Sequence, residues 1–208
     1  HNTPSEKAFE ILPKLESLGL SDCSRLIHIW RNFPEGIRVF QNLRSLHVSK
    51  CPLKCLFHPP SVATMLISLE ALEVYWCSAM CEVIGEEDEE VSLEDNAQHH
   101  DIGKRREIAL GKTSKEFVFP RLSSLQLERL KNLRRFSGSH QEDYEFKFSL
   151  LTTLILVSCP KLKKFCSGKL DAPWLKKVQI GPIYIENFEA PVDLKVLISS
   201  LYFQPTLL

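Results

Sequence analysis

The sequence predicts an α/β solenoid, a horseshoe of stacked coils with a parallel concave sheet and a mostly irregular or short-helical convex side. Three observations predict it. One spacing of apolar residues recurs six times along the chain, and in four of the six a cysteine follows at the same place. The residues that alternate with the apolar ones are mostly small or polar.

The spacing is clearest in Leu151-Thr-Thr-Leu154-Ile-Leu156-Val-Ser-Cys159-Pro-Lys-Leu162. Leu154 and Leu156 alternate with the period of a strand. The later steps of three, through Cys159, Leu162 and Phe165, are too tight for a strand and too short for an ordinary helix. This is the signature of a leucine-rich repeat. The other copies are Leu15/Leu18/Leu20/Cys23, Leu43/Leu46/Val48/Cys51, Leu69/Leu72/Val74/Cys77, Leu122/Leu125/Leu127/Leu130 and Leu175/Val178/Ile180/Ile183. Their first anchors are separated by 28, 26, 53, 29 and 24 residues. The step of 53 reads as one ordinary repeat plus an insertion.

Taken in order, residues 1–14 are a lead-in, and repeats occupy 10–183 of a single 1–208 domain. Arg31-Asn-Phe-Pro-Glu-Gly36 and His58-Pro-Pro-Ser61 are turn-rich and belong to the far sides of coils. Residues 85–117 fit no repeat template. Glu86-Glu87-Asp88-Glu89-Glu90 are acidic, Lys104-Arg-Arg106 basic, and apolar residues are sparse between them, as expected of a charged, mobile insertion. Phe119-Pro-Arg-Leu122 restarts the register, and residues 184–208 read as a degenerate last repeat or a cap.

A single repeat cannot bury its leucines, so stacking must turn them into one interior. Strands pair at about 4.8 Å, whereas the opposite side is bulkier, and the mismatch curves the array. After each strand the chain turns between coils, where leucine would crowd. Cysteine fits there as a small apolar group with a weak donor.

The partners of the leucines face the concave surface in three rows. These are Ser17, Ser45, Ala71, Ser124, Thr153 and Lys177; then Gly19, His47, Glu73, Gln126, Ile155 and Gln179; then Ser21, Ser49, Tyr75, Glu128, Val157 and Gly181. Tyr75 and the adjacent Trp76 suit an interface anchor beside Glu73 and Glu128. Ile155 and Val157 put apolar groups where polar ones are expected. The candidate partner-binding set is therefore His47, Glu73, Tyr75, Trp76, Gln126, Glu128, Ile155 and Val157.

Lys plus Arg equals Asp plus Glu, 26 each, which argues against a general nucleic-acid surface. No apolar run approaches the roughly 18 residues of a membrane span. Seven cysteines, an odd number, and the lack of an Asn-x-Ser/Thr sequon favour a reducing, intracellular setting. The chain opens at His1 and the first repeat follows almost at once, which predicts part of a longer protein.

Chemical motifs are weak. Gly111-Lys-Thr113 resembles the end of a phosphate-binding loop, but Arg106 stands where its first glycine is required. Cys51, Cys55, Cys77 and Cys81 have the spacing of a thiolate metal site, yet the repeat already accounts for Cys51 and Cys77. His99-His100 lie in the charged insertion and read as solvated. No catalytic or metal residue is assigned, and the expectation is a non-enzyme.

Leu69-Glu-Ala-Leu-Glu-Val-Tyr-Trp-Cys77, Val83-Ile-Gly-Glu-Glu87, Phe119 to Phe136 and Leu151 to Gly168 carry a more specific wording. Residues 10–183 resemble the C-terminal repeats of plant nucleotide-binding leucine-rich-repeat resistance proteins, especially the coiled-coil class. The resemblance implies a cytoplasmic immune receptor, nuclear or membrane-associated only through its other parts. It implies that the repeats perceive a pathogen effector or a modified host protein and help hold the receptor inactive. ADP or ATP would bind an upstream domain, with no cofactor in these residues. The acidic run Glu86–Glu90 follows Val83-Ile84 as it often does in that family, and has a regulatory reading against a basic surface elsewhere in the receptor. The alternative is a substrate-recruiting repeat module of a ubiquitin ligase.

Overall fold

The structure is a computed structural model, and it describes residues 10–30, 38–58, 61–85, 116–137, 145–162, 165–166, 170–186 and 198. The candidate regulatory residues Glu86–Glu90, the Gly111-Lys-Thr113 motif and His99-His100 lie outside the described residues.

In chain order the elements are β1 (Glu10–Ile11), β2 (Ser17–Ser21), β3 (Arg38–Val39), β4 (Ser45–Ser49), α1 (Ser61–Met65), β5 (Ala71–Tyr75), β6 (Glu82–Ile84) and β7 (Glu116–Val118). They continue with β8 (Ser124–Glu128), β9 (Arg135–Ser137), β10 (Glu145–Lys147), β11 (Thr153–Val157), β12 (Leu170–Asp171), β13 (Lys177–Ile180) and β14 (Ile183–Glu186). The main sheet has seven strands in the order β14-β13-β11-β8-β5-β4-β2. From β2 to β13 all pairings are parallel and follow the repeat register. Leu18, Leu46, Leu72, Leu125, Leu154 and Val178 are successive partners along one row. The chain is a leucine-rich-repeat solenoid. β5 pairs directly with β8, so the coil after the 53-residue step stacks on the coil before it.

Side chains sort by period two. In β5, β8 and β11 the leucine-row residues are buried and their alternates half-buried. Leu46, Leu72, Leu125, Leu154 and Val178 are fully enclosed, whereas Leu18 and Leu20, on a strand that has a main-sheet neighbour on one side only among the described residues, remain partly buried.

Backbone groups between coils are shared systematically. Just before each strand, one carbonyl accepts two successive N–H groups of the next coil. Glu16 O accepts from Arg44 and Ser45, Arg44 O from Glu70 and Ala71, and Glu70 O from Ser123 and Ser124. Ser123 O and Thr152 O continue the series. The cysteine position closes the other end of the strand. Cys51 Sγ donates to Ser49 O at 3.2 Å and to Leu20 O of the preceding coil at 3.8 Å. Cys159 Sγ does the same toward Val157 O and Leu127 O, both at 3.5 Å. Burial pushes the thiols of Cys51 and Cys77 up, which keeps them protonated as donors.

The far side of the coils holds more order than loops alone. The helix α1 is a single turn, with Val62 and Ala63 buried. Short parallel ladders join β1 to β3, β6 to β9, and β7 through β10 to β12. Aromatic side chains fill the interior beneath them. Phe136 stacks on Phe165 with centroids 4.6 Å apart, and Trp30 packs edge-on to Phe40 at 5.2 Å.

Ile183 does not take the cysteine place that the spacing predicts. It opens β14, which runs antiparallel to β13 and pairs Ile180 with Ile183. The turn between them is Gly181-Pro182, and Gly181 has φ +58°. A two-residue hairpin with glycine first and proline second meets the demands of a type II′ turn. Gly181 therefore ends the strand, rather than standing as the last residue of the third concave row.

Leu154→Ala removes a fully enclosed side chain between Leu125 and Val178. It is expected to lower unfolding free energy by about 2–5 kcal/mol, read from urea denaturation. A loss below about 1 kcal/mol would mean the leucine rows do not hold the coils together. Gly181→Ala isolates the backbone, because an added Cβ meets no atom within 4 Å. The expected cost is about 1–2 kcal/mol from the left-handed conformation alone; an unchanged urea midpoint would show that the turn carries no such demand.

Candidate functional site

The concave face is built by alternation, because the residues between buried leucines have nowhere to point but outward. His47 on β4, Glu73 and Tyr75 on β5, Gln126 and Glu128 on β8, and Ile155 and Val157 on β11 all lie on this face, on neighbouring strands. Glu73 is opposite both His47 and Gln126, and Glu128 is opposite both Tyr75 and Val157.

A polar chain ties them. His47 Nδ1 lies 3.2 Å from Glu73 Oε2. The Tyr75 hydroxyl donates to Gln126 Oε1 at 2.8 Å, and Gln126 Nε2 donates to Ser124 Oγ at 3.3 Å. The His47 and Tyr75 rings are 5.3 Å apart. Tyr75 is thus held by its oxygen, with its ring among carboxylates. Partial burial, then Glu73 and then Glu128, push its phenol up from 10.0 to about 12.

Trp76 stands one residue beyond β5, on the rim of the face rather than in its rows. It has φ 54° and is 49% exposed. Five of the six parallel strands of the main sheet end in this way at a residue other than glycine, β13 with its hairpin at Gly181 being the other. Asp22, Lys50, Trp76, Arg129 and Ser158 each follow a strand in the left-handed region. The N–H groups of Asp22, Lys50, Trp76 and Arg129 bond to Ser49, Tyr75, Glu128 and Val157 carbonyls of the next coil. The conformation belongs to the repeat, but the side chain does not. A bulky residue there is unusual, and Trp76 is not placed to fill the core. Arg129 lies over its ring at 5.4 Å, and Lys50 pairs with Asp22 at 3.4 Å.

Of this fourth row only Trp76 is among the candidates that the sequence offers, although a signal for the others exists. Each of its residues immediately precedes the cysteine or its substitute: Asp22-Cys23, Lys50-Cys51, Trp76-Cys77, Arg129-Leu130 and Ser158-Cys159. Tyr184 and Glu186 also join the face. They lie opposite Gln179 and Lys177, and Lys177 pairs with Glu186 at 3.4 Å.

The chemistry on offer is recognition. His47 with Glu73 is a base-and-carboxylate pair, but no serine or cysteine hydrogen-bonds to His47 among the described residues. No group of three or more His, Cys, Asp and Glu among the described residues is placed to hold a metal. Cys55 and Cys81 are half-buried, and Cys51 and Cys77 are buried. No helix among the described residues is long and apolar enough to cross a membrane.

Residues 1–78 match the family model for plant disease resistance protein RPS2-like leucine-rich repeats. No curated protein and no solved structure matches the chain. The matched stretch contains the first three main-sheet strands and both Tyr75 and Trp76. The module is a leucine-rich-repeat solenoid of the kind that serves as a protein-interaction scaffold.

The raised phenol gives a pH prediction. A group whose folded pKa lies above its unfolded one favours the folded state fully below the unfolded value, near pH 10. That contribution disappears as pH rises through about 12. Ultraviolet titration is expected to show one late phenolate step that Tyr75→Phe abolishes and that Glu73→Gln with Glu128→Gln moves to lower pH. A late step that survives Tyr75→Phe would place the perturbed phenol elsewhere.

Proposed function

We propose that this solenoid is the protein-interaction and regulatory repeat region of a plant intracellular immune receptor. In this reading its concave face and rim contribute to perceiving a pathogen effector or a modified host protein, and other contacts help hold the receptor inactive. The observation that carries it is the likeness of residues 1–78 to resistance-protein repeats, in the same stretch that presents Tyr75 and Trp76. Supporting it, the strongest departures from an ordinary solvated sheet face are aromatic and aliphatic groups suited to a protein partner: Tyr75, Trp76, Ile155 and Val157.

Nucleotide exchange belongs in this reading to a domain upstream, and the cytoplasm is its setting. Residues 85–117 are proposed as an insertion between the third and fourth coils. Glu86–Glu90 are its regulatory element, contacting a basic surface of the nucleotide-binding region. Residues 184–208 are proposed to close the array, and the reversed direction of β14 supports this.

Two measurements test the proposal. The transcript upstream of the His1 codon is expected to encode a phosphate-binding loop; an adaptor-binding helical motif there would instead make this a substrate-recruiting module of a ubiquitin ligase. In extracts of infected leaf, a specific protein is expected to co-purify with the wild-type chain. Association should fall by about tenfold or more when Tyr75, Trp76 and Ile155 are replaced by alanine. Equal recovery with that variant would remove the concave face from recognition.

A further inference from the structure

We propose that the concave face takes a cationic segment of its protein partner, with an arginine seated between Glu73 and Glu128 over the Tyr75 ring and aliphatic neighbours against Ile155 and Val157. The inference deepens the protein-interaction reading and rests on it.

Charge is the first argument. Along the facing rows the carboxylates outnumber the permanent cations. Lys177 is the one lysine or arginine in those rows among the described residues, and Glu186 pairs with it at 3.4 Å. Three strands from Lys177, the one ion-pair partner of Glu73 among the described residues is His47, which offsets it only when protonated. Glu128 makes no ion pair among the described residues. Arg129 is engaged over Trp76 on the rim. Among the described residues the middle of the face therefore holds two carboxylates without a permanent counter-charge, and after burial they are the next contributors to the upward push on the Tyr75 phenol.

Geometry is the second. Tyr75 and Glu128 are direct cross-strand partners, so their Cβ atoms are about 5 Å apart. Glu73 precedes Tyr75 by two residues on the same strand, a rise of about 6.6 Å. Both carboxylates are thus within a side chain's reach of a group over the ring. A guanidinium suits this place better than an ammonium, because it is planar, stacks on aromatic faces and forks toward carboxylates. The ring is already fixed by its bond to Gln126, so little ordering is needed on binding.

The third argument is apolar continuity. Val157 is the other cross-strand neighbour of Glu128, and Ile155 is the neighbour of Gln126. An extended partner segment laid across the strands would meet a carboxylate and then an aliphatic group at strand spacing. The partner is accordingly basic and aliphatic rather than acidic.

Random-sequence peptide display on the full chain tests this. Enriched peptides are expected to carry arginine beside isoleucine, leucine or valine. Synthesised copies should bind a Glu73→Gln/Glu128→Gln double variant about tenfold more weakly or worse. High salt should weaken binding to the wild-type chain more than to that variant. Tyr75→Ala and Ile155→Ala are measured in parallel, with unchanged urea midpoints required of all variants. Peptides without a cation that need Tyr75 and Ile155 but ignore Glu73→Gln and Glu128→Gln would overturn the cationic partner while leaving the concave face as the interface. Basic peptides indifferent to all four substitutions would overturn both. Failure to enrich any basic sequence overturns the proposal.

Discussion

The mutual enclosure of aliphatic rows is the constraint on which the rest depends. Leu18, Leu46, Leu72, Leu125, Leu154 and Val178 meet only because six coils lie in register. Each fully enclosed side chain is worth about 1.5–3 kcal/mol, and the enclosure comes from the neighbouring coils. Stability is therefore a property of interfaces more than of coils. The half-buried leucines of β2 show this within the molecule, since among the described residues β2 has a main-sheet neighbour on one side only.

Stacking of this kind buries backbone polar groups, and the repeat satisfies them by fixed devices. One carbonyl per coil accepts from two amides before the strand, and a left-handed residue donates across to the next coil after it. The cysteine then bonds two carbonyls from a small volume at Cys51 and Cys159. Leu130 shows that the thiol is dispensable, because this leucine is also fully buried at the same position. The polar accounting and the hydrophobic register reinforce each other, which is how a weak local pattern specifies one arrangement.

The leucine rows and the concave rows were legible because both follow from period two in a strand, and period two is written directly in residues 17–21, 45–49, 71–75, 124–128 and 153–157. The candidate residues His47, Glu73, Tyr75, Gln126, Glu128, Ile155 and Val157 reached the right face for that reason. What was not legible depends on backbone sign or on distant partners. Nothing in the alternation says that Trp76 turns left-handed onto the rim. Its contact with Arg129 crosses a step of 53 residues that only the fold closes. The hairpin at Gly181-Pro182 has a local signal, yet it competed with an isoleucine at an expected anchor. The short ladders behind the sheet involve two or three residues each, too few to show a period.

The left-handed row has a consequence for how this molecule can change. Its backbone bonds come from amides and carbonyls, so they persist whatever side chain is attached. Asp22, Lys50, Trp76, Arg129 and Ser158 already differ in charge, size and polarity. Glycine would be the most comfortable choice at every one of them, and none of the five uses it. Such positions can be rewritten singly without disturbing the interior, so affinity for a new ligand could arise here while the scaffold beneath stays constant.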